Sequence, residues 1–226
     1  MGNVVMILGK SGSGKSSSIK TLNPKETVVI NVLKKRLPFK GSNSVYNSEN
    51  KNLFQISSYS DIVSYLNNIS KNALHVKNIV LDDILYTMRK EYFTRAKEVG
   101  YNKFVEIGQH FQQIIETAEN IRADINVFIL MHSEEIVSDG AIIGYKSATI
   151  GRMLDEKYNP IEVVPMLLYA EPKYDDKGNP TYGFYTHGHK EGTIVIPAKT
   201  PEGMFEEDFI PNDLQLVVNK MNEYYG

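Results

Sequence analysis

The apolar positions of this chain fall into short blocks separated by polar stretches rich in Gly, Ser and Asn. Residues 3–8 (NVVMIL), 27–33 (TVVINVL), 76–81 (VKNIVL) and 125–131 (INVFILM) are runs rich in Val and Ile. Runs this short and this apolar predict buried strands. Residues 53–57 form a weaker candidate strand. Between the runs the apolar spacing changes to three and four. Ile62, Tyr65, Leu66 and Ile69 share one helical face within residues 61–69. Leu85, Met88, Tyr92, Ala96 and Val99 share another in a segment that ends at Gly100. Phe104, Ile107, Phe111, Ile114 and Ala118 make a third. Residues 16–22 read as a helix stopped by Asn23-Pro24, and the polar, basic residues 34–52 as a long loop.

The order of these elements is β-α-β-loop-β-α-β-α-α-β, an alternation that predicts an α/β fold with a mostly parallel central sheet flanked by helices. The last third differs. Residues 138–152 are Gly-rich and polar and read as a loop. Residues 161–170 and 181–187 read as strands, and the turn residues 175–180 (DDKGNP) join them as an antiparallel hairpin. Asn212 is placed to cap a terminal helix carrying Leu214, Val217, Met221 and Tyr224. The expectation is one domain over residues 1–226 with a C-terminal antiparallel extension of the sheet.

Composition narrows the chemistry. The 226 residues carry 25 Lys and Arg against 27 Asp and Glu, a net charge of −2. A near-neutral monomer has no overall basic field with which to hold nucleic acid. There is no cysteine, so disulfides, Cys-based zinc sites and thiol nucleophiles are excluded. No apolar run reaches the ~20 residues of a membrane helix, and the N-terminal apolar stretch is too short for a signal peptide, so the cytoplasm is the expected location.

Gly9-Lys10-Ser11-Gly12-Ser13-Gly14-Lys15-Ser16 fits G-x-x-x-x-G-K-[ST], the phosphate-binding loop, between an apolar strand and a helix as that motif requires. Glycines permit a tight turn whose backbone N–H groups face a phosphate. The helix start adds positive partial charge. Gly9 through Ser17 are thus the expected ATP-binding residues. Lys15 would reach the β- and γ-phosphates, and Ser16 would hold Mg²⁺. The run Ile79-Val80-Leu81-Asp82-Asp83 is a strand ending in carboxylates. Asp82 is the expected second Mg²⁺ residue; Asp83 either polarises the attacking water or caps the next helix. At the end of 125–131, His132 is a candidate γ-phosphate sensor, and Glu134 or Glu135 a candidate base. Lys146 and Arg152 are candidate fingers or solvated cations. The basic cluster Lys34-Lys35-Arg36, with Phe39 and Lys40 nearby, suits a nucleic-acid or nucleotide contact. His187-Gly188-His189 lacks a third ligand and reads as a polar strand end.

Taken together, the stretches GKSGSGKS, INVLKKRLPFKGSN, IVLDDILYTM, GYNKFVEIGQH, VFILMHSEE, TIGRMLDEK and KTPEGMFEE…IPNDL resemble, in order and over nearly the whole chain, the phage-encoded AAA/RecA-core ATPases of the single-strand-annealing type. The resemblance implies a RecA-like P-loop NTPase. It further implies ATP binding with Mg²⁺, homo-oligomers, and action on single-stranded DNA beside other phage replication or recombination proteins. RecA-type enzymes commonly carry a catalytic Glu at the end of an earlier strand; here that region is Ser57-Ser58-Tyr59. Two alternatives stand beside this reading. One is a nucleotide-switched binding protein with little turnover. The other is a small-molecule kinase, disfavoured by five arginines scattered at 36, 89, 95, 122 and 152. A GTPase is disfavoured because Asn102-Lys103 and Asn219-Lys220 do not continue as N-K-x-D.

Overall fold

The computed structural model describes residues 1–150 and 159–226. The strands β1 (Asn3–Gly9), β2 (Thr27–Asn31), β3 (Leu53–Phe54), β4 (Asn78–Asp82), β5 (Asn126–Ser138) and β7 (Met166–Tyr174) pair in parallel. Beyond β7, β8 (Pro180–Tyr185) and β11 (Phe209–Pro211) extend the sheet antiparallel. The order across this main sheet is β11-β8-β7-β1-β5-β4-β2-β3. This is the α/β, RecA-like P-loop architecture that the alternation predicts, C-terminal extension included.

The continuous apolar runs arise because the central strands are buried on both faces. Along β1, Val4, Met6 and Leu8 pack on one side with Ile62 and Leu66 of α2 (Tyr59–Asn72) and Ile107, Phe111 and Ile114 of α4 (Asn102–Asn120). Val5 and Ile7 point the other way. They meet Ile19 of the 3₁₀ helix Ser16–Thr21, Tyr46 after α1 (Ser42–Val45), and Leu214, Val217 and Met221 of α6 (Leu214–Tyr225). At the strand starts a polar ladder fixes the register: Asn3 donates to Asn126, Asn126 to Asn78, and Asn78 to Thr27.

Several local expectations are corrected. The strand after Ile125 does not end at His132. It leaves the main sheet there and continues to Ser138, pairing antiparallel with β6 (Ala141–Ser147). The polar stretch 138–152, expected as a loop, thus supplies a strand up to Ser147. Asp139 (φ 51°) and Gly140 (φ 79°) form the two-residue turn, both left-handed, as a tight hairpin requires. β9 (His189–Glu191) and β10 (Ile194–Ile196) complete this projecting arm against β6. The expected strand start at 161 is instead a short helix, α5 (Pro160–Val163), because Asn159 caps it and Pro160 occupies its first turn. α3 (Leu85–Thr94) stops before Val99, which is fully exposed and has no core to join. The expected loop 34–52 contains α1. The cap of α6 is Asp213, accepting from Leu216 N at 3.0 Å, and not Asn212. No helix among the described residues is long and apolar enough to cross a membrane.

Candidate functional site

Residues 9–16 turn at the end of β1, with Gly12 (φ 81°) and Gly14 (φ 92°) in the left-handed region. Only glycine adopts that geometry without strain. The loop closes on itself through Lys15. Its Nζ donates to Gly9 O and Lys10 O, each at 2.7 Å. The side chain is buried, and that burial lowers the ammonium pKa to about 8 despite the nearby charges of Asp83 and Asp82. A cation held by two neutral carbonyls in a dry place is under-compensated, and a polyphosphate would supply the missing charge.

Parallel pairing brings the other elements to the loop. β4 lies beside β5, and β5 beside β1, with Gly9 in register with His132. The Ser16 hydroxyl donates to Asp82 Oδ1 at 2.7 Å. Asp82 is buried, and burial raises its carboxyl pKa to about 6, against the lowering effect of the Ser16 bond. A hydroxyl and an isolated buried carboxylate converging at this distance form an oxygen donor pair suited to a hard divalent cation, so Mg²⁺ fits Ser16 and Asp82.

Asp83 takes a left-handed backbone (φ 61°), which Asp tolerates better than most residues. Its carboxylate does not cap α3, whose N-cap position, Ile84, has no side-chain bond. It meets His132 Nε2 at 3.0 Å and Lys35 Nζ at 3.6 Å. Burial pushes the Asp83 pKa up, but the His132 bond and the His132, Lys35 and Lys15 charges outweigh it and hold the group below its ordinary value. Tyr86 stands edge-on to His132, and Lys35 lies over the Tyr86 ring.

These groups open into one cavity of about 1000 Å³. Ser11 through Ser17 line it, together with Asp82, Asp83 and His132. The basic cluster turns inward: Lys35, Arg36, Phe39 and Lys40 line the same cavity, as does Lys20. Other expected residues lie elsewhere. Glu134 stands outside the cavity lining, exposed on the arm, with its carboxylate 3.9 Å from Lys146 Nζ. Lys10 turns its ammonium away to Glu135 on the arm, at 2.8 Å, and over the Tyr145 ring. Arg152 lies outside the described residues. His187 pairs with Asp208 and His189 with Glu191, and no metal cluster of His, Asp and Glu occurs among the described residues.

Two lining residues carry no local sequence signal: Tyr182 of β8 and Asn212. The amide of Asn212 donates to Gly14 O at 2.9 Å. Next to it, Thr21 Oγ1 accepts from Leu214 N and Gln215 N, so the end of the 3₁₀ helix satisfies the start of α6.

The family model described as an AAA domain matches residues 1–190 of the chain. A comparison with curated proteins finds no match.

Proposed function

The chain belongs to the AAA-domain family, and from that premise we propose that it is a Mg²⁺-dependent ATPase acting on single-stranded DNA. We place it with the phage single-strand-annealing ATPases of recombination or replication, working in the host cytoplasm. The observation that carries the reading is the 2.7 Å contact between Ser16 and Asp82 beneath a loop that holds Lys15. The phosphate-loop hydroxyl and the strand-end acid thereby meet on the one point a metal–triphosphate needs.

Each residue then has a role. Backbone N–H groups of residues 12–16 receive the phosphates. Lys15 exchanges the carbonyls of Gly9 and Lys10 for phosphate oxygens. Ser16 and Asp82 hold Mg²⁺, which when bound neutralises charge on the β- and γ-phosphates. Asp83 orients the water, and His132 positions the Asp83 carboxylate and senses the γ-phosphate. This pair takes the place of the earlier glutamate, absent at Ser57-Ser58-Tyr59. Lys34, Arg36 and Lys40 hold DNA phosphates at the mouth, with Phe39 offering a ring for a base. A homo-oligomer would align these loops into a track and resolve the objection from net charge.

One contact favours the nucleotide-switch reading. Lys10, inside the phosphate loop, reaches Glu135 on the arm at 2.8 Å, so loop and arm are mechanically joined. The deciding experiment is ATP hydrolysis at low salt with and without single-stranded DNA, with Lys15→Ala as control. DNA-stimulated turnover that Lys15→Ala abolishes supports the ATPase. ATP binding with negligible, DNA-independent turnover selects the switch. Turnover unaffected by Lys15→Ala overturns the site.

A further inference from the structure

We propose that Tyr182 and Asn212 form the base-recognition end of this cavity, and that the Asn212 amide oxygen selects adenine over guanine. The proposal rests on the reading of the cavity as a nucleotide site.

The wall made by Gly14, Tyr182 and Asn212 differs in kind from the acidic and basic groups around the rest of the cavity, because it carries no charge. Asn212 cannot be turned around. Gly14 O only accepts, so the amide nitrogen must face it, as it does at 2.9 Å. The backbone is pinned too, with Asn212 N donating to Tyr182 O at 3.2 Å and Pro211 paired with Gly183 in the β8–β11 ladder. The amide oxygen is therefore fixed on the other side, where it is closed to solvent and has no hydrogen-bond partner. A desolvated, unmet acceptor is unfavourable until a donor arrives.

The ring of Tyr182 lies against the same glycine. A Cβ on Gly14 would sit 2.4 Å from Asn212 Nδ2 and 2.9 Å from Tyr182 Cδ1. Both residues are therefore seated on the phosphate loop itself, one residue before the lysine that meets the phosphates. Yet Tyr182 keeps 41% of its surface exposed. A half-open ring beside a phosphate site offers a plane on which a base can stack. A base held there brings its edge to Asn212. The 6-amino group of adenine is the donor that the orphaned oxygen lacks. The 6-oxo group of guanine would set acceptor against acceptor.

The test measures binding of ATP, GTP and inorganic tripolyphosphate, each with Mg²⁺, to the full chain and to Asn212→Ala, Asn212→Ser and Tyr182→Ala. Wild type is expected to prefer ATP over GTP by about tenfold, the size of one hydrogen bond. Both Asn212 variants are expected to bring that ratio near one. Tyr182→Ala is expected to weaken both nucleotides about tenfold through the missing stacking surface. Tripolyphosphate affinity should be unchanged in all three, which also reports an intact loop. An ATP preference that survives in both Asn212 variants overturns the proposal, as does an equal loss of nucleotide and tripolyphosphate. Wild type that binds ATP and GTP alike overturns this proposal alone. Wild type that binds neither ATP nor tripolyphosphate overturns the nucleotide site itself.

Discussion

His132 Nε2 lies 3.0 Å from Asp83 Oδ1, joining the strand that leaves the main sheet to the carboxylate that follows the metal-site acid. His132 lies on β5 and Asp83 directly follows the neighbouring β4, so the sheet fixes their spacing. If Asp83 orients water and His132 positions it, Asp83→Asn should lower kcat by about 10²-fold or more, within the range for a positioned base. Asparagine also tolerates the left-handed backbone, so the melting temperature should hold. His132→Gln added to Asp83→Asn should cost little more, since contacting groups are non-additive. Additive losses in kcat would show that the two act separately.

Asp82 is tuned for a cation at the expense of stability. Its raised pKa means the folded chain holds a proton more tightly than the unfolded one between the ordinary value of 3.8 and about 6. Above that window the carboxylate is charged and buried, which destabilises the fold without metal. Asp82→Asn should therefore raise stability at pH 7 without Mg²⁺, on the order of 1–2 kcal/mol. It should reduce Mg²⁺-dependent turnover more than nucleotide binding. A variant that melts lower without Mg²⁺, or loses both functions equally, would contradict the metal role.

Lys15 gives the mirror-image pH signature. Its pKa falls from 10.5 to about 8 on burial, so the unfolded chain binds more protons between those values. Stability from this group rises with pH across that window, because the strain is a buried positive charge that deprotonation removes. Lys15→Met should therefore be more stable than wild type at pH 7 without nucleotide, by about 2–3 kcal/mol. The gap should narrow steadily as pH rises from about 8 to about 10. Chemical denaturation of both proteins along that pH series reads it directly, and a constant gap would mean that the ammonium is not under-compensated.

The basic loop makes a salt-dependent prediction. Replacing Lys34, Arg36 and Lys40 by alanine together should remove DNA stimulation. It should also lower the slope of log affinity against log salt by about 2, at ~0.7 for each single-strand phosphate that the loop no longer neutralises. Basal ATP turnover separates the two duties of the loop: Arg36 and Lys40 line the cavity, whereas Lys34 does not. Lys34→Ala alone should weaken DNA binding and leave basal turnover intact. Unchanged DNA binding in the triple variant would remove the loop from the DNA site.

The sequence alone determined what rests on neighbours a few residues apart. Short apolar runs, helical spacing between them and Gly-x-Gly-Lys-Ser after the first run suffice for a parallel α/β sheet and its phosphate loop. It also marked Asp82, because a carboxylate closing an apolar strand is a local pattern. The arm was illegible for a physical reason. Beyond His132 the strand is solvated on both faces, so no burial pattern separates it from a loop. Asn212 and Asp213 are equally good caps by residue type. Only the approach of Asn212 to Gly14, 198 positions away, assigns one to the helix and the other to the loop. Asp83 likewise could cap or catalyse until β5 set His132, 49 positions on, against it. Strand order brought these partners together, and strand order is settled by packing both faces of the sheet, a cooperative outcome that no local stretch of residues encodes.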